Sequence, residues 1–156
     1  MSGNMYTVSF EDVAVTAAQD LFELVAAAGK PLIIHAIFLS QSSDIGTSEM
    51  ESLRVRIRRG ATVSGSGGSA PTPAALNPSS AAASFTAEAN NTTQAGTGTI
   101  VLLHSDSWEI HGGFQLVFTP EMRPQVAGGG RIVVDLEGTP TDSLTMHGTI
   151  YVEEVG

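Results

Sequence analysis

Residues 31–40, PLIIHAIFLS, form the most apolar stretch of the chain. With a period of two, the even-numbered residues from 32 to 38 lie on one face of a strand and the odd-numbered residues from 33 to 39 lie on the other. Both sets are largely apolar, so the stretch predicts a strand that is buried on both sides. Such a strand lies at the centre of a sheet in a sandwich, or beneath a neighbouring subunit. We expect the other segments to pack around it.

Short segments that alternate apolar and polar residues follow one another along the rest of the chain. Residues 17–28 suit a helix by propensity and a strand by pattern, and we interpret 20–25 as a strand. Many short strands separated by turn-forming residues predict an all-β protein, and we expect a jelly-roll-like antiparallel β-sandwich of about 8–10 strands. The other strand-like segments centre on residues 6–10, 53–58, 84–89, 100–104, 108–118, 131–136 and 144–153.

The chain length of 156 residues predicts a single β-sandwich domain over residues 1–156. Residues 61–80 are rich in Gly, Ser, Pro and Ala, which is the composition of a flexible linker. Residues 1–60 alone would make a poor core, so we interpret 61–80 as a long loop within one domain that can lie over a neighbour. This loop, residues 41–50 and the N-terminal residues are the expected contact segments.

The composition indicates an oligomer. Charged residues make up 15% of the chain, against about 25% in typical globular domains, and glycine accounts for 17 residues. Interfaces between subunits are depleted in charge, so we expect a homo-oligomer and favour a trimer. The alternative is a monomer with a surface of Ser, Thr, Ala and Gly.

The formal net charge of −9 argues against binding to nucleic acid or to an anionic membrane. No apolar run approaches the roughly 20 residues of a membrane span. The first ten residues, MSGNMYTVSF, lack the basic and apolar regions of a secretory signal. We therefore expect a soluble protein that is synthesised in a cytoplasm.

Residues 53–59, LRVRIRR, contain four of the seven basic residues, alternating at first with apolar side chains. As a strand, the segment turns its apolar side chains inward and its guanidinium groups outward. Guanidinium groups form bidentate hydrogen bonds with carboxylates, so the stripe suits an acidic partner surface. The alternative is pairing with acids of its own sheet, such as Asp135 or Glu137. The candidate partner-binding residues are Arg54, Arg56, Arg58 and Arg59.

His104, Asp106 and His111 are the residues whose spacing best suits a metal. His104 and Asp106 share a strand face, and His111 can return beside them across a hairpin, so a zinc site is conceivable. No fourth ligand or general base is apparent, and we interpret all three as structural residues. We predict no catalytic residue, no cofactor and no metal, and we do not expect an enzyme.

Two further groups have an alternative functional interpretation. Trp108, Tyr6 and Tyr151 are candidates for stacking on a sugar if they are exposed, although a single tryptophan in an apolar strand pattern is more typical of a core. The acid pairs at 11–12 and 153–154 have the residue types of glycosidase carboxylates. Adjacent residues of a strand point to opposite faces, so we interpret both pairs as solvated charge.

Six segments in order along almost the whole chain resemble one family of small proteins encoded by tailed bacteriophages and prophages. The segments are AAQDLFEL (17–24), IIHAIFLSQSSD (33–44), LRVRIRRG (53–60), SGSGGSAPTPAALNP (64–78), EANNTTQAGTGT (88–99) and DSLTMHGTIYVEEVG (142–156). The resemblance implies a virion structural protein whose nearest functional analogues are head-decoration (cement) proteins. Several of those are trimeric β-sandwich or jelly-roll domains. It implies no catalytic residue.

The expected role is therefore that of a capsid decoration protein on the virion surface. Its partner would be the major capsid protein of a tailed phage, and it would bridge neighbouring capsid subunits of the head shell. Two alternatives stay open. One is a virion-surface carbohydrate-binding, lectin-like module, and the other is a β-sandwich associated with the tail or neck.

Overall fold

The computed structural model of the protein describes residues 3–46 and 50–156. These residues form eleven strands and one short 3-10 turn, Pro120–Met122. The strands are β1 Asn4–Val15, β2 Gln19–Val25, β3 Leu32–Gln41, β4 Ser52–Arg59, β5 Ala74–Ala75, β6 Thr86–Asn91, β7 Val101–Glu109, β8 Phe114–Val117, β9 Gln125–Val126, β10 Arg131–Glu137 and β11 Leu144–Glu154.

The strands form two antiparallel sheets packed as a sandwich. Sheet A has the order β5-β1-β11-β3-β8, with β9 also paired to β3, and sheet B has the order β6-β2-β10-β4-β7. Without the short or peripheral strands β5, β6 and β9, eight strands remain. Their pairs are nested along the chain: β1 with β11, β2 with β10, β3 with β8, and β4 with β7. A hairpin folded over in this way is a jelly roll, which confirms the predicted fold class.

The core lies between the sheets and follows from the alternation of apolar residues. In β11 every second residue from Leu144 to Glu154 is buried. Residues 20–25, which suit both a helix and a strand by sequence, lie in β2, so the predicted strand is confirmed. Six of the seven residues of β2 are buried, because its inner face meets the core and its outer face is also covered. Packing therefore overrides the helical propensity of this segment.

The apolar stretch at 31–40 becomes β3, an interior strand of sheet A, as predicted, but its faces differ from the prediction. A bulge opposite Tyr151 breaks the register with β11. Before the bulge Ile34 points into the core, and after it Ile37 and Leu39 do so. Phe38 is consequently turned to the outer face, where it is half-buried. The prediction of two continuous faces was wrong because a bulge shifts the inward side by one residue.

The segment at 61–80 is hydrogen-bonded to its own chain at several points, and contact of this loop with a neighbouring subunit stays a prediction. Val63 bridges Gly96, Ser66 bridges Thr93, and the Ser69 N–H donates to the carbonyl of Ala89 at 3.0 Å. Further on, β5 pairs with β1. The linker-like composition therefore encodes tight turns that let the backbone approach β6 and its following loop closely.

Candidate binding surfaces

The arginine stripe lies on the outer face of sheet B, where β10 brings acids next to β4. Arg56 forms a bidentate pair with Asp135, with donor–acceptor distances of 2.9 and 3.0 Å, and lies 3.3 Å from Glu137. Arg58 contacts Asp135 at 2.6 Å, and Arg54 pairs with Glu137. The hydrogen bond to Asp135 raises the pKa of Arg56. The stripe is thus paired with acids of its own sheet.

The four predicted partner-binding arginines differ in how much of them a partner could reach. The Arg56 and Arg58 side chains are only 20% and 16% exposed, and their guanidinium groups meet internal carboxylates. Arg54 is 56% exposed. Arg59 donates to the backbone carbonyl of Gln125 at 3.2 Å, near the end of the sheet. Contact with a partner through Arg54 and Arg59 stays a prediction.

A cover lies over the other half of this face. We define the cover as residues 61–69 together with residues 92–97. Ala61 and Ala95 pack on Val133, which points outward from β10. The N–H of Ala95 donates to Asp20 at 2.7 Å, and Asp20 is completely buried. This arrangement could not be found from the sequence, because the cover and the strands beneath it are far apart in the chain.

Burial under the cover raises the pKa of two acids. Desolvation, together with the nearby charge of Asp135, raises the pKa of Asp20 to about 6, although the Ala95 N–H and Arg58 oppose this shift. Burial and a hydrogen bond with Glu88 raise the pKa of Glu23, while the same hydrogen bond lowers the pKa of Glu88. The two glutamates thus behave as an acid pair in which Glu23 holds the proton more readily.

Glu23 also holds the cover in place. Its carboxyl group accepts hydrogen bonds from the Ser64 hydroxyl at 2.8 Å and from the Gly65 N–H at 3.1 Å. Arg131 reaches Glu23 at 3.1 Å and donates to the Ala61 carbonyl at 2.9 Å. Glu23 and Arg131 are therefore directed toward the protein's own cover.

Among the described residues, none forms a comparable cover over the outer face of sheet A. Phe38 and Tyr151 meet there edge to face, with ring centroids 5.7 Å apart, and both are half-buried. Val117 on β8 is 68% exposed, and it lies beside Ala36 in the register. These residues and Met5 line an open groove of about 270 Å³. We call the apolar surface formed by these residues the open face.

Charged groups border the open face. His35 and Glu153 contact each other at 2.7 Å, and the Gly3 N–H donates to the same carboxylate at 2.7 Å. The Gly3 N–H and the His35 contact together lower the pKa of Glu153. Glu154, next in the chain, is buried and accepts the N–H groups of Ser84 and Phe85 at 2.9 and 3.0 Å. The interpretation of 153–154 as solvated charge was therefore wrong.

The histidine and aspartate candidates for a metal do not converge. His104 Nε2 lies 3.8 Å from Asp106 Oδ2, while the ring of His104 packs edge to face on Phe118. His111 lies in the following turn and contacts Glu109 at 2.9 Å. Among residues 3–46 and 50–156, no three His, Cys, Asp or Glu side chains are grouped so that they could hold a metal ion.

The three candidate sugar-stacking residues lie in different environments. Trp108 is 2% exposed and donates its indole N–H to the carbonyl of Gly112, and Tyr6 is 1% exposed with its ring against Phe85. Both are core residues. Only Tyr151 reaches a surface, on the open face. The partner of Tyr151 there, Phe38, could not be found from the alternation, because the bulge in β3 reverses its side.

Comparison with known proteins adds little to this geometry. No family model and no curated protein matches the chain. Among solved structures, the VP16-VP17 complex, a complex of the two major capsid proteins of bacteriophage P23-77, is aligned over 99% of this chain and 91% of that chain, with 10% identity and a TM-score of 0.13. That score is too low to indicate a shared fold. In the described part of the chain, no helix has the length and hydropathy needed to span a membrane.

Proposed function

We propose that the protein is a phage virion structural protein that decorates the head shell and bridges neighbouring capsid subunits through the open face of sheet A. Jelly rolls are common among viral capsid and lectin domains, so the fold is compatible with this role. The sequence resemblance to small virion proteins of tailed phages and prophages supports it. The proposal assigns no reaction to the chain.

The single observation that carries the proposal is that one outer face is occupied by the protein's own residues while the other is exposed. The outer face of sheet B is occupied by its own ion pairs and by the cover. The outer face of sheet A presents apolar and aromatic side chains around Tyr151 and Val117, bordered by the pair of His35 with Glu153. Interface centres are typically aromatic and poor in charge, with a polar rim. Many such contacts repeated over a shell add through multivalency.

The proposal is tested by sedimenting the protein with heads assembled from the major capsid protein of the same phage or prophage. Val117→Asp places a charge at the centre of the open face, on a side chain that is already 68% exposed. We expect this variant to bind the heads at least about tenfold more weakly, because a carboxylate must then be desolvated in the contact.

Val63→Asp is the matched control, because Val63 is 54% exposed and lies on the cover of the opposite face. We expect it to bind as the unmodified protein does. Equal loss of binding in both variants, or loss only in the control, would contradict the assignment of the open face. Absence of binding by the unmodified protein would refute the head-decoration role.

A glycan-binding module is a second candidate, and one observation favours it. Phe38 and Tyr151 form a half-exposed aromatic pair on an open surface, and rings of this kind stack on sugars. Fluorescence of the buried Trp108 is a poor probe of this site. Chemical-shift changes at Tyr151 on addition of a glycan would favour the lectin-like role over capsid binding. Their absence across a glycan panel, with head binding intact, would favour decoration.

A further inference from the structure

The edge strands of the two sheets differ in length and in cover. In the described residues, sheet A ends in the two-residue strand β5 and the four-residue strand β8, and the β6 edge of sheet B is bridged to the cover at Ser69. The fourth edge, β7, is nine residues long and has no strand on its outer side. A long unpaired edge is a template for pairing with another strand.

One hydrogen bond shows which backbone groups of β7 bond to β4 and which point to the open edge. The N–H of Ile110 donates to the carbonyl of Glu51 at 3.1 Å, and this pair continues the register of β7 with β4. Because antiparallel pairs alternate, the even-numbered residues of β7 from 104 to 108 bond to β4, while Ser105 and Ser107 direct their backbone groups to the open edge. In agreement, the N–H of Ser107 donates to the carboxylate of Asp106 at 2.9 Å.

The side chains of β7 restrict which strand can pair with this edge. His104 and Asp106 lie on the core side of the edge strand, opposite Ile57 and Val55. Inward-pointing charges on an edge disfavour pairing with an apolar strand. The Nε2 atom of His104 is buried without a hydrogen-bond partner, and its nearest carboxylate oxygen, from Asp106, is 3.8 Å away. A fitting partner strand must therefore supply an acceptor to His104 and a cation to Asp106.

We propose that β7 pairs antiparallel with β7 of a second copy of this chain, about a two-fold axis at Ser105. In this register His104 lies directly opposite Asp106 of the partner subunit, and the converse pair forms by symmetry. Both are non-hydrogen-bonded positions, where opposed side chains approach most closely. Shifting the axis by one residue in either direction would oppose two histidines or two aspartates. The charge pattern therefore selects the register centred on Ser105.

The surroundings of the edge suit the same contact. Val101 and Leu102 at the start of β7 are 41% and 55% exposed, and Met122, which is 68% exposed, shares a groove with Leu103. A second copy would cover part of this apolar surface. A two-fold contact closes on itself and gives a dimer. The proposal therefore differs from the trimer that the sequence favours, and it holds independently of any capsid partner.

Light scattering on a sizing column tests the proposal. We expect a mass near twice 16.2 kDa for the unmodified protein. His104→Asp puts like charges opposite each other at two symmetric positions and is expected to weaken dimerisation at least about tenfold. The double variant His104→Asp with Asp106→His exchanges the two charges and is expected to restore the dimer. His147→Asp, the same change on sheet A at a side chain of equal exposure, is the control and should leave the mass unchanged.

A monomer at all concentrations, or an oligomer whose mass is insensitive to His104→Asp, would overturn the proposal. A second measurement keeps it testable if that variant folds poorly. The chain contains no cysteine, so Ser105→Cys creates a single thiol on the proposed axis. Opposed residues there lie about 5.5 Å apart between Cα atoms, within the range of a disulfide. We expect a disulfide-linked dimer under oxidation, and none for Ser79→Cys in the exposed 76–80 loop. Absence of the Ser105→Cys dimer would contradict the two-fold register.

Discussion

The two outer faces of the sandwich are built from strands with the same alternation, yet the face of sheet B is covered and the face of sheet A is open. On sheet B, acids and arginines from the three strands β2, β4 and β10 pair with one another, and the cover buries Asp20 and Glu23. On sheet A, Phe38, Tyr151 and Val117 face outward with no segment of the described chain packed over them as the cover packs on sheet B. The difference shows that exposure of a face depends on what crosses over it, and strand periodicity carries no information on that.

The difference also bears on which face is available to a partner. A charged strand such as β4 is an obvious candidate for recognition from the sequence alone. In the folded protein its central guanidinium groups already have a carboxylate partner, Asp135, which Arg56 binds in bidentate geometry. Engaging them elsewhere would leave Asp135 buried without a counter-charge, which is costly. We therefore propose the outer face of sheet A, and not the arginine stripe, as the docking surface.

Asp135→Asn should have the largest effect on stability. Asp135 is completely buried and neutralises both Arg56 and Arg58, so its loss leaves two largely buried cations without their main partner. We expect the free energy of unfolding to fall by about 3–5 kcal/mol, measured by urea denaturation. Arg54→Ala is the control on the same strand and should cost less than about 1 kcal/mol, because the Arg54 pair is largely solvated. Equal losses of unfolding free energy in the two variants would show that Asp135 is not a buried partner on which Arg56 and Arg58 depend.

Asp20→Asn should remove a pH dependence that burial creates. The pKa of Asp20 is raised from 3.8 to about 6 in the folded state, so the folded protein binds this proton more tightly than the unfolded chain. The stability from this group is fully present below about pH 4 and is lost as the pH rises to about 6, a change of about 3 kcal/mol. The variant should show a flatter stability profile between these pH values. A profile identical to that of the unmodified protein would show that the cover does not desolvate Asp20.

Glu153→Ala gives the corresponding measurement on sheet A, with a smaller expected effect. Glu153 accepts hydrogen bonds from Gly3 and contacts His35, but it is partly solvated. We expect a loss of about 1 kcal/mol at pH 7. The pKa of Glu153 is lowered, so its contribution is present above its unfolded pKa and is lost as the pH falls. The cost of the substitution should therefore shrink at about pH 3. A loss as large as that of Asp135→Asn would remove the contrast between the faces.

Much of the fold could be predicted because each strand has one apolar side. The alternation in β11 and β4 follows from local sequence. The strand β2 was harder to predict, because residues with high helical propensity are buried there on both faces. The nested pairing that makes the sandwich a jelly roll was predicted only as a fold class, and the strand-by-strand pairs came from the structure.

The surfaces could be predicted less well, for two physical reasons. A single bulge in β3 reverses the side of Phe38, and no residue near it in sequence marks that event. The partners of Asp20 and Glu23 come from residues 61–69 and 92–97, more than forty positions away, so only the folded chain shows that these acids are buried. The acids of β10 were identified from sequence as possible partners of the arginines, because they lie on a neighbouring amphipathic strand.

The central claim is that sheet A, and not sheet B, faces the partner. Electron cryomicroscopy of heads saturated with the protein tests it most directly, because a jelly roll of this size can be oriented in the map by its two unequal sheets. We expect the face with Phe38, Tyr151 and Val117 to lie against the shell and the cover to point to solvent. A map in which the arginine stripe and the cover contact the shell would contradict it.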